Sequence, residues 1–234
     1  MAESSDVKVI SLGGSIIVPE DVDVDFLRRF VEAVENHLAQ DEHRRVILVC
    51  GGGAPARRYQ VAYSRIAPQP DDSARDWIGI AATKLNAELI RQLFLSHCPL
   101  PVITDPTSVT VFAGKIIVAS GWKPGFSTDY DAVLLAEKFS ADTLINLSNI
   151  EKVHTDDPRT NPDAQPLDSV SWADFRAMVG EEWTPGRNVP FDPVAARHAS
   201  EVRLRVIVAS GRDIENLNLI LEDGAFKGTV IGPA

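Results

Sequence analysis

An α/β fold with an open, mainly parallel sheet sandwiched between helical layers follows from three features of the sequence. Short apolar runs alternate with segments of helical periodicity along the whole chain. Most of the runs are continuously apolar, the pattern of strands buried on both faces. Glycine-rich turns follow three of them: Gly13-Gly14-Ser15, Gly51-Gly52-Gly53, and Gly121 with Gly125.

The elements read in order as follows. Val7–Leu12 is a strand that enters the first glycine turn, and Asp25 caps a helix whose apolar residues Leu27, Val31, Val34 and Leu38 recur at helical spacing. Val46–Cys50 is a second buried strand, and Pro55–Ile66 a helix beyond the second glycine turn. Prolines and aspartates make 67–72 a loop, and a long helix over roughly Ser73–Leu95 ends at Pro99 and Pro101. Val102-Ile103 is a brief strand, Lys115–Ala119 another, Thr128–Phe139 a helix and Thr143–Leu147 a strand. Three prolines make Asp156–Pro166 a loop. Ser171 with Asp174 resembles a capping box for the helix Trp172–Val179. Asp192 caps a helix whose first turn holds Pro193 and which runs to about Ser200. Arg205–Ala209 is a strand, Ile214–Leu221 a helix and Thr229–Ile231 a last strand.

Composition narrows the function classes. The 234 residues are enough for one large α/β domain, with 44% hydrophobic and 24% charged residues, the balance of a soluble globular chain. A formal net charge of -10 disfavours binding of nucleic-acid polymers or anionic membranes. Local arginines and backbone N–H groups still permit a small anionic substrate. No secretory leader or stretch of transmembrane length is present, and Cys50 and Cys98 lack metal-ligand spacing and read as buried thiols. A cytoplasmic protein is expected.

The turns are where chemistry is expected. In an open parallel sheet, loops at the carboxyl ends of strands gather at one edge, and glycine there lets backbone N–H groups approach a phosphate. Neither G-x-x-x-x-G-K-[ST] nor G-x-G-x-x-G occurs, which excludes an ordinary P-loop and a Rossmann dinucleotide site. Arg57 and Arg58 follow the second turn, where the helix dipole opposes a cation, so they mark either a bound anion or a solvated pair. On the long helix Asp76, Gly79, Thr83 and Asn86 fall within about 80° of arc at roughly 100° per residue, apart from Lys84, Glu88 and Gln92. One stripe facing a cleft and the other water is the reading that competes with a single wide solvated face. Ser127, Thr128 and Asp129 open a helix, either as simple caps or as phosphate-holding groups with Asp129 orienting donors.

The motifs that carry these residues resemble the uridylate (UMP) kinase branch of the amino acid kinase family, in its archaeal-type form. They are S-L-G-G-S (Ser11–Ser15), V-C-G-G-G-A-P-A-R-R-Y (Val49–Tyr59), D-W-I-G-I-A-A-T-K-L-N (Asp76–Asn86), G-W-K-P-G-F-S-T-D (Gly121–Asp129), N-I-E-K-V-H-T-D-D-P-R (Asn149–Arg159), D-P-V-A-A-R (Asp192–Arg197) and the closing G-T-V-I. They span nearly the whole chain in family order. The resemblance implies a single amino-acid-kinase domain, with an acceptor lobe over about 1–140 and an ATP lobe over about 141–234. It implies transfer of the ATP γ-phosphoryl group to UMP. Gly13, Gly14 and Ser15 then lie on the ATP phosphates, with Gly52 and Gly53 continuing the track on the acceptor side. Arg57 holds the UMP phosphate, Asp76 the acceptor ribose with Thr83 nearby, and Thr128 contacts the acceptor. Asp129 organises the reacting centre. Asn149 and the segment Val153–Pro158, including His154 and Asp157, surround the adenine nucleotide. Mg²⁺ travels with ATP, held mainly by phosphates and water, with no protein metal site. A homo-oligomer is implied, a hexamer favoured.

Three departures stand out. Ser11 occupies a position where many bacterial relatives carry a lysine that neutralises phosphate charge. Lys8 lies on the opposite strand face, which leaves Lys123 in the third turn as the candidate cation. Glu151, Lys152 and His154 replace aspartate, glycine and tyrosine. Lys152 is therefore expected either to be strained or to reach the ATP phosphates. Trp122, Tyr130 and Asp131 add bulk around the acceptor loop and bear on which base fits. A kinase for another small acceptor, or a catalytically weak nucleotide- or oxyanion-binding protein, are the competing readings.

Overall fold

The computed structural model describes residues 6–180 and 189–233. In chain order the strands are β1 (Val7–Leu12), β2 (Arg45–Cys50), β3 (Ile116–Ala119), β4 (Thr143–Ser148), β5 (Ser169–Val170), β6 (Arg205–Ser210) and β7 (Thr229–Ile231). The helices are α1 (Gly14–Ile17), α2 (Val24–Gln40), α3 (Gly53–Ile66), α4 (Asp72–Leu93), α5 (Thr128–Lys138), α6 (Trp172–Val179), α7 (Pro193–Glu201) and α8 (Ile214–Leu221). The strands form one sheet in the order β3-β2-β1-β4-β6-β7-β5. Every pairing is parallel except β6 with β7, as the continuously apolar runs predicted.

Strand alternation splits the core into two layers. Ile10, Leu12, Leu48, Ile145 and Ile207 face one side, packed against α2, α8, Ala87 and Ile90 near the end of α4 and Phe94 just after it. Val7, Val9, Ile47, Leu144 and Val206 face the other, packed against α5, α6 and α7. Among the described residues no helix is long and apolar enough to cross a membrane. Cys50 and Cys98 are buried thiols, with burial raising the pKa of each.

Element boundaries shift where capping decides. Asp23, not Asp25, caps α2: its carboxylate accepts from Phe26 N at 3.0 Å, while Asp25 lies in the first turn and pairs with Arg28 at 2.9 Å. The first glycine turn closes into the short α1 instead of remaining a loop. The strand expected at Val102-Ile103 shrinks to one bridge between Ile103 and Ala119, because Pro101 and Pro106 bracket it and supply no N–H. Lys8 does lie on the opposite strand face from Ser11; it is buried and bonded to Asp223 at 3.2 Å.

The first two glycine turns interlock as bare backbone. A Cβ on Gly14 would sit 2.0 Å from Gly53 N and 2.5 Å from Gly51 C, and one on Gly51 would sit 2.4 Å from Gly14 N. Gly53 also holds φ +65°, a left-handed conformation that costs other residues about 1–2 kcal/mol. Gly125 likewise has φ +85°, but a Cβ there meets nothing within 4 Å. Gly14→Ala is therefore expected to lose at least about 3 kcal/mol of unfolding free energy or to fail to fold, whereas Gly125→Ala loses only about 1 kcal/mol. Urea unfolding of the two variants checks the contrast, and equal losses would refute the interlock.

Candidate active site

Neighbouring strands on either side of β1 and β4 run outward in opposite directions, β2 and β3 one way and β6 the other. This is the switch point of an open α/β sheet, at whose carboxyl edge ligands bind in folds of this kind. Because β1, β2 and β3 are parallel neighbours, all three glycine turns lie on that edge. Backbone bonds tie the strand ends there: Gly13 N to Leu147 O at 2.8 Å, Gly51 N to Leu12 O at 2.9 Å and Gly211 N to Ser148 O at 2.8 Å. At the start of α3, a helix of 14 residues beginning at Gly53, Ala54 N bonds to Val18 O at 3.0 Å, Ala56 N to Gly52 O at 3.5 Å and Pro55 has no N–H, so Gly52 and Gly53 carry the N–H groups that no other group takes among the described residues. Arg57 on α3 reaches back across the edge, donating to Ser15 Oγ at 2.9 Å with its guanidinium exposed. Arg58 beside it is also exposed.

The stripe on α4 faces inward, and Lys84, Glu88 and Gln92 face water. Its polar groups hold backbone of two turns. Asn86 donates to Gly51 O at 2.7 Å, and Thr83 Oγ1 accepts from Gly121 N at 2.9 Å. Asp76 Oδ2 accepts from Gly125 N at 2.9 Å. Asp131 on α5 accepts from Trp122 N at 3.1 Å. Three amides of the third turn are thus spoken for by side chains, so that turn is a braced wall, unlike the bare first two. Ser127 caps α5 through Tyr130 N at 3.2 Å and leaves Thr128 as the first helical residue, partly exposed. Lys123 lies on the same wall, its Nζ 3.6 Å above the Trp122 ring and 5.0 Å from that of Phe126.

On the other side of the switch point, Asn149 is exposed just past β4. Val153 is buried, its N–H on Thr229 Oγ1 at 2.9 Å and its carbonyl accepting from Leu167 N at 2.8 Å. His154 Nδ1 lies 3.0 Å from Lys152 O. Asp157 grips Arg159 through both carboxylate oxygens, a pairing that pulls its pKa down to about 2. The strain expected at Lys152 is absent. Its φ is not positive, since Ser140, Arg203 and Asp223 are the non-glycine residues of that kind among those described. Its ammonium is bonded to Asp168.

Asp129 stands between the two sides. Ser11 Oγ donates to its Oδ1 at 2.9 Å, and Asp192 N approaches its Oδ2 at 3.3 Å. Sequence reasoning treated Ser11 only as a missing lysine and Asp192 only as a helix cap; the S-T-D-Y-D cluster carried the signal, but pairing across 118 positions is tertiary. Burial pushes the Asp129 carboxyl up to about 6, with the charge of Asp192 adding to it and the Ser11 bond opposing. Burial pushes Asp131 to about 7, opposed by Trp122 N–H and aided by the charges of Asp129 and Asp105. Asp192 is raised by burial too, against its own bonds to Ala195 and Val194 N–H. Carboxyls raised in this way bind protons more tightly folded than unfolded. Their contribution to stability is complete below about pH 4 and is lost as pH rises through about 6 and 7. Unfolding free energy is therefore expected to fall between about pH 4 and pH 7 in urea titrations and to level off above, as these two groups titrate. Asp129→Asn and Asp131→Asn should each flatten that slope, and an unchanged slope in both would refute the assignment.

The model of the amino acid kinase family matches residues 6–210. The chain is 34% identical over 227 residues to a uridylate kinase of Methanospirillum hungatei, covering 95% of this chain and 93% of the relative. It is 33% identical to that of Thermococcus onnurineus, covering 96% and 99%. The crystal structure of uridylate kinase from Archaeoglobus fulgidus superposes with a TM-score of 0.79 at 30% identity, over 96% of this chain and 99% of that one. UMP kinase from Bacillus anthracis shares the fold at a TM-score of 0.77 and 19% identity. With strand order, glycine edge and near-full-length likeness in agreement, the chain belongs to the amino acid kinase family.

Proposed function

We propose that this protein is a uridylate kinase, moving the γ-phosphoryl group of ATP onto UMP to give UDP and ADP. The observation that carries the reading is the interlocked pair of glycine turns at the switch point, with Arg57 on one flank and Asp129 beneath. Phosphoryl transfer needs two phosphate chains placed end to end and their charge neutralised, with little covalent work for the protein. Side-chain-free turns offer N–H groups at the closest approach the backbone allows. The uridylate kinase likeness over nearly the whole chain supplies the nucleotide identities.

Roles follow the two flanks. The residues to about 140 form the acceptor side and those from about 141 the ATP side. Arg57 swings from Ser15 to the UMP phosphate, Gly52 and Gly53 present N–H groups to it, and Thr128 and the free oxygen of Asp76 meet the acceptor's sugar. Thr83 shapes that pocket through Gly121. Gly13, Gly14 and Ser15 line the ATP phosphates, with Asn149, Val153, His154 and Asp157 around the adenine nucleotide. Asp129 already accepts hydrogen bonds on both oxygens, which suits a group that aligns donors better than one that ligates an ion. Mg²⁺ is accordingly assigned to the nucleotide phosphates and water, where it neutralises charge. Lys123 is the proposed substitute for the lysine absent at Ser11, a role that requires its ammonium to leave the Trp122 face. ATP as donor fits a cytoplasmic setting.

A homo-oligomer, a hexamer favoured, is proposed on the apolar surface of α3 and α4, where Ile66 is 81%, Tyr59 71%, Leu85 67% and Trp77 54% exposed. Light scattering of the purified protein is expected to show an assembly that Trp77→Glu and Leu85→Glu break down; a monomer in the wild type would overturn this.

The function is tested by ADP release across UMP, CMP, dUMP, carbamate and amino acids. UMP is expected to exceed the other acceptors at least about tenfold in kcat/KM. Lys123→Ala should lower kcat at least about tenfold, and Arg57→Ala should raise the KM for UMP more than that for ATP. ATP binding without transfer to any acceptor would favour a binding protein instead.

A further inference from the structure

We propose that Asp131 is a positioning residue for the acceptor side of the cleft, its buried carboxyl fixing the Trp122–Lys123 segment against α5 and thereby setting that wall relative to Asp129. The kinetic part of this inference rests on the uridylate kinase reading; the geometric part does not.

Asp131 sits in the first turns of α5, two residues past Asp129, and is 1% exposed. A carboxyl removed from water is unfavourable unless it makes hydrogen bonds there. This one makes a single bond of that kind among the described residues: Oδ2 accepts from Trp122 N at 3.1 Å, while shielded Oδ1 has no partner. If the position served packing alone, a valine or alanine would fill it at no such penalty, as Ala132 and Val133 do beside it.

What the carboxyl holds explains its presence. Thr83 and Asp76 secure the third turn from α4, at Gly121 N and Gly125 N. Asp131 secures it from the opposite helix, at the residue between them. The Trp122 ring packs on Phe126 with centroids 5.4 Å apart, and Phe126 on Tyr130 at 4.9 Å. Lys123 rests on the Trp122 face. A backbone shift at Trp122 therefore carries with it the aromatic series and the candidate cation, all on the acceptor side. The ATP-side loop at Val153 is tied instead to Thr229 and Leu167 and is independent of this bond.

Asp131→Val and Asp131→Asn separate positioning from simple packing. In Asp131→Val the KM for UMP is expected to rise at least about tenfold, the loss of roughly one hydrogen bond to the site's geometry, while the KM for ATP stays within about twofold. Asp131→Asn keeps an oxygen acceptor for Trp122 N–H and is expected to recover most of the difference. Hydrogen exchange of the Trp122 amide, followed by NMR, should speed up at least about tenfold in Asp131→Val and little in Asp131→Asn. Equal changes in the two KM values, no change in either, or unaltered exchange would each overturn the proposal. If Asp131→Val does not fold, Asp131→Ala takes its place. If the wild type fails to phosphorylate UMP, the uridylate kinase reading falls, and the exchange contrast alone decides whether Asp131 holds the loop.

Discussion

The contact on which the rest of the structure depends is backbone against backbone: the turn after β1 seated in the turn after β2, with Gly14 against Gly51 and Gly53. Side chains at these positions would separate the two strand ends by the width of a methyl group or more. That separation would break the bond from Gly51 N to Leu12 O and move α3, which starts at Gly53, away from the edge. Since Arg57 rides on the second turn of α3, the place of the guanidinium is set by glycines four to six residues before it and by Gly14 far earlier in the chain.

Around that contact the edge divides its labour. In the first two turns Gly13 N and Gly51 N are tied to neighbouring strand ends, while the N–H groups of Gly14, Ser15, Gly52 and Gly53 have no partner among the described residues. The third has its amides taken by Thr83, Asp76 and Asp131, and its face lined with Trp122, Phe126 and Tyr130. Bare amides suit phosphate, whose recognition is a matter of charge and close approach. A braced aromatic wall suits a moiety recognised by shape. Under the proposed function, Asp129 beside both would give a transferring group and its acceptor a common meeting point.

Three carboxyls in this region have raised pKa values because burial disfavours their charge, and the same neighbourhood holds no compensating lysine at Ser11. Such an arrangement costs stability at neutral pH. Clusters of this type are typical of functional sites, where the field needed by a ligand is built in before the ligand arrives. Lys123 on the third turn is held by aromatic faces, so the local charge balance changes when that contact is released.

How much was legible beforehand follows the range of the forces involved. Continuous apolar runs declare buried parallel strands, helical spacing on α4 separates its two polar stripes, and Ser171 or Asp192 declares a helix start, because each effect acts within a few residues. The glycine turns and Arg57 were marked by the same local logic. Tertiary structure alone decided that Asp23 outcompetes Asp25 as a cap and that Lys152 bonds to Asp168 without backbone strain. It likewise decided that Ser11 and Asp192 converge on Asp129, and that Asp131 reaches back to Trp122. Those outcomes depend on which atoms meet after the sheet has brought distant segments together. A carboxyl's partner, and therefore its charge, is a property of that meeting and not of the residues beside it in the chain.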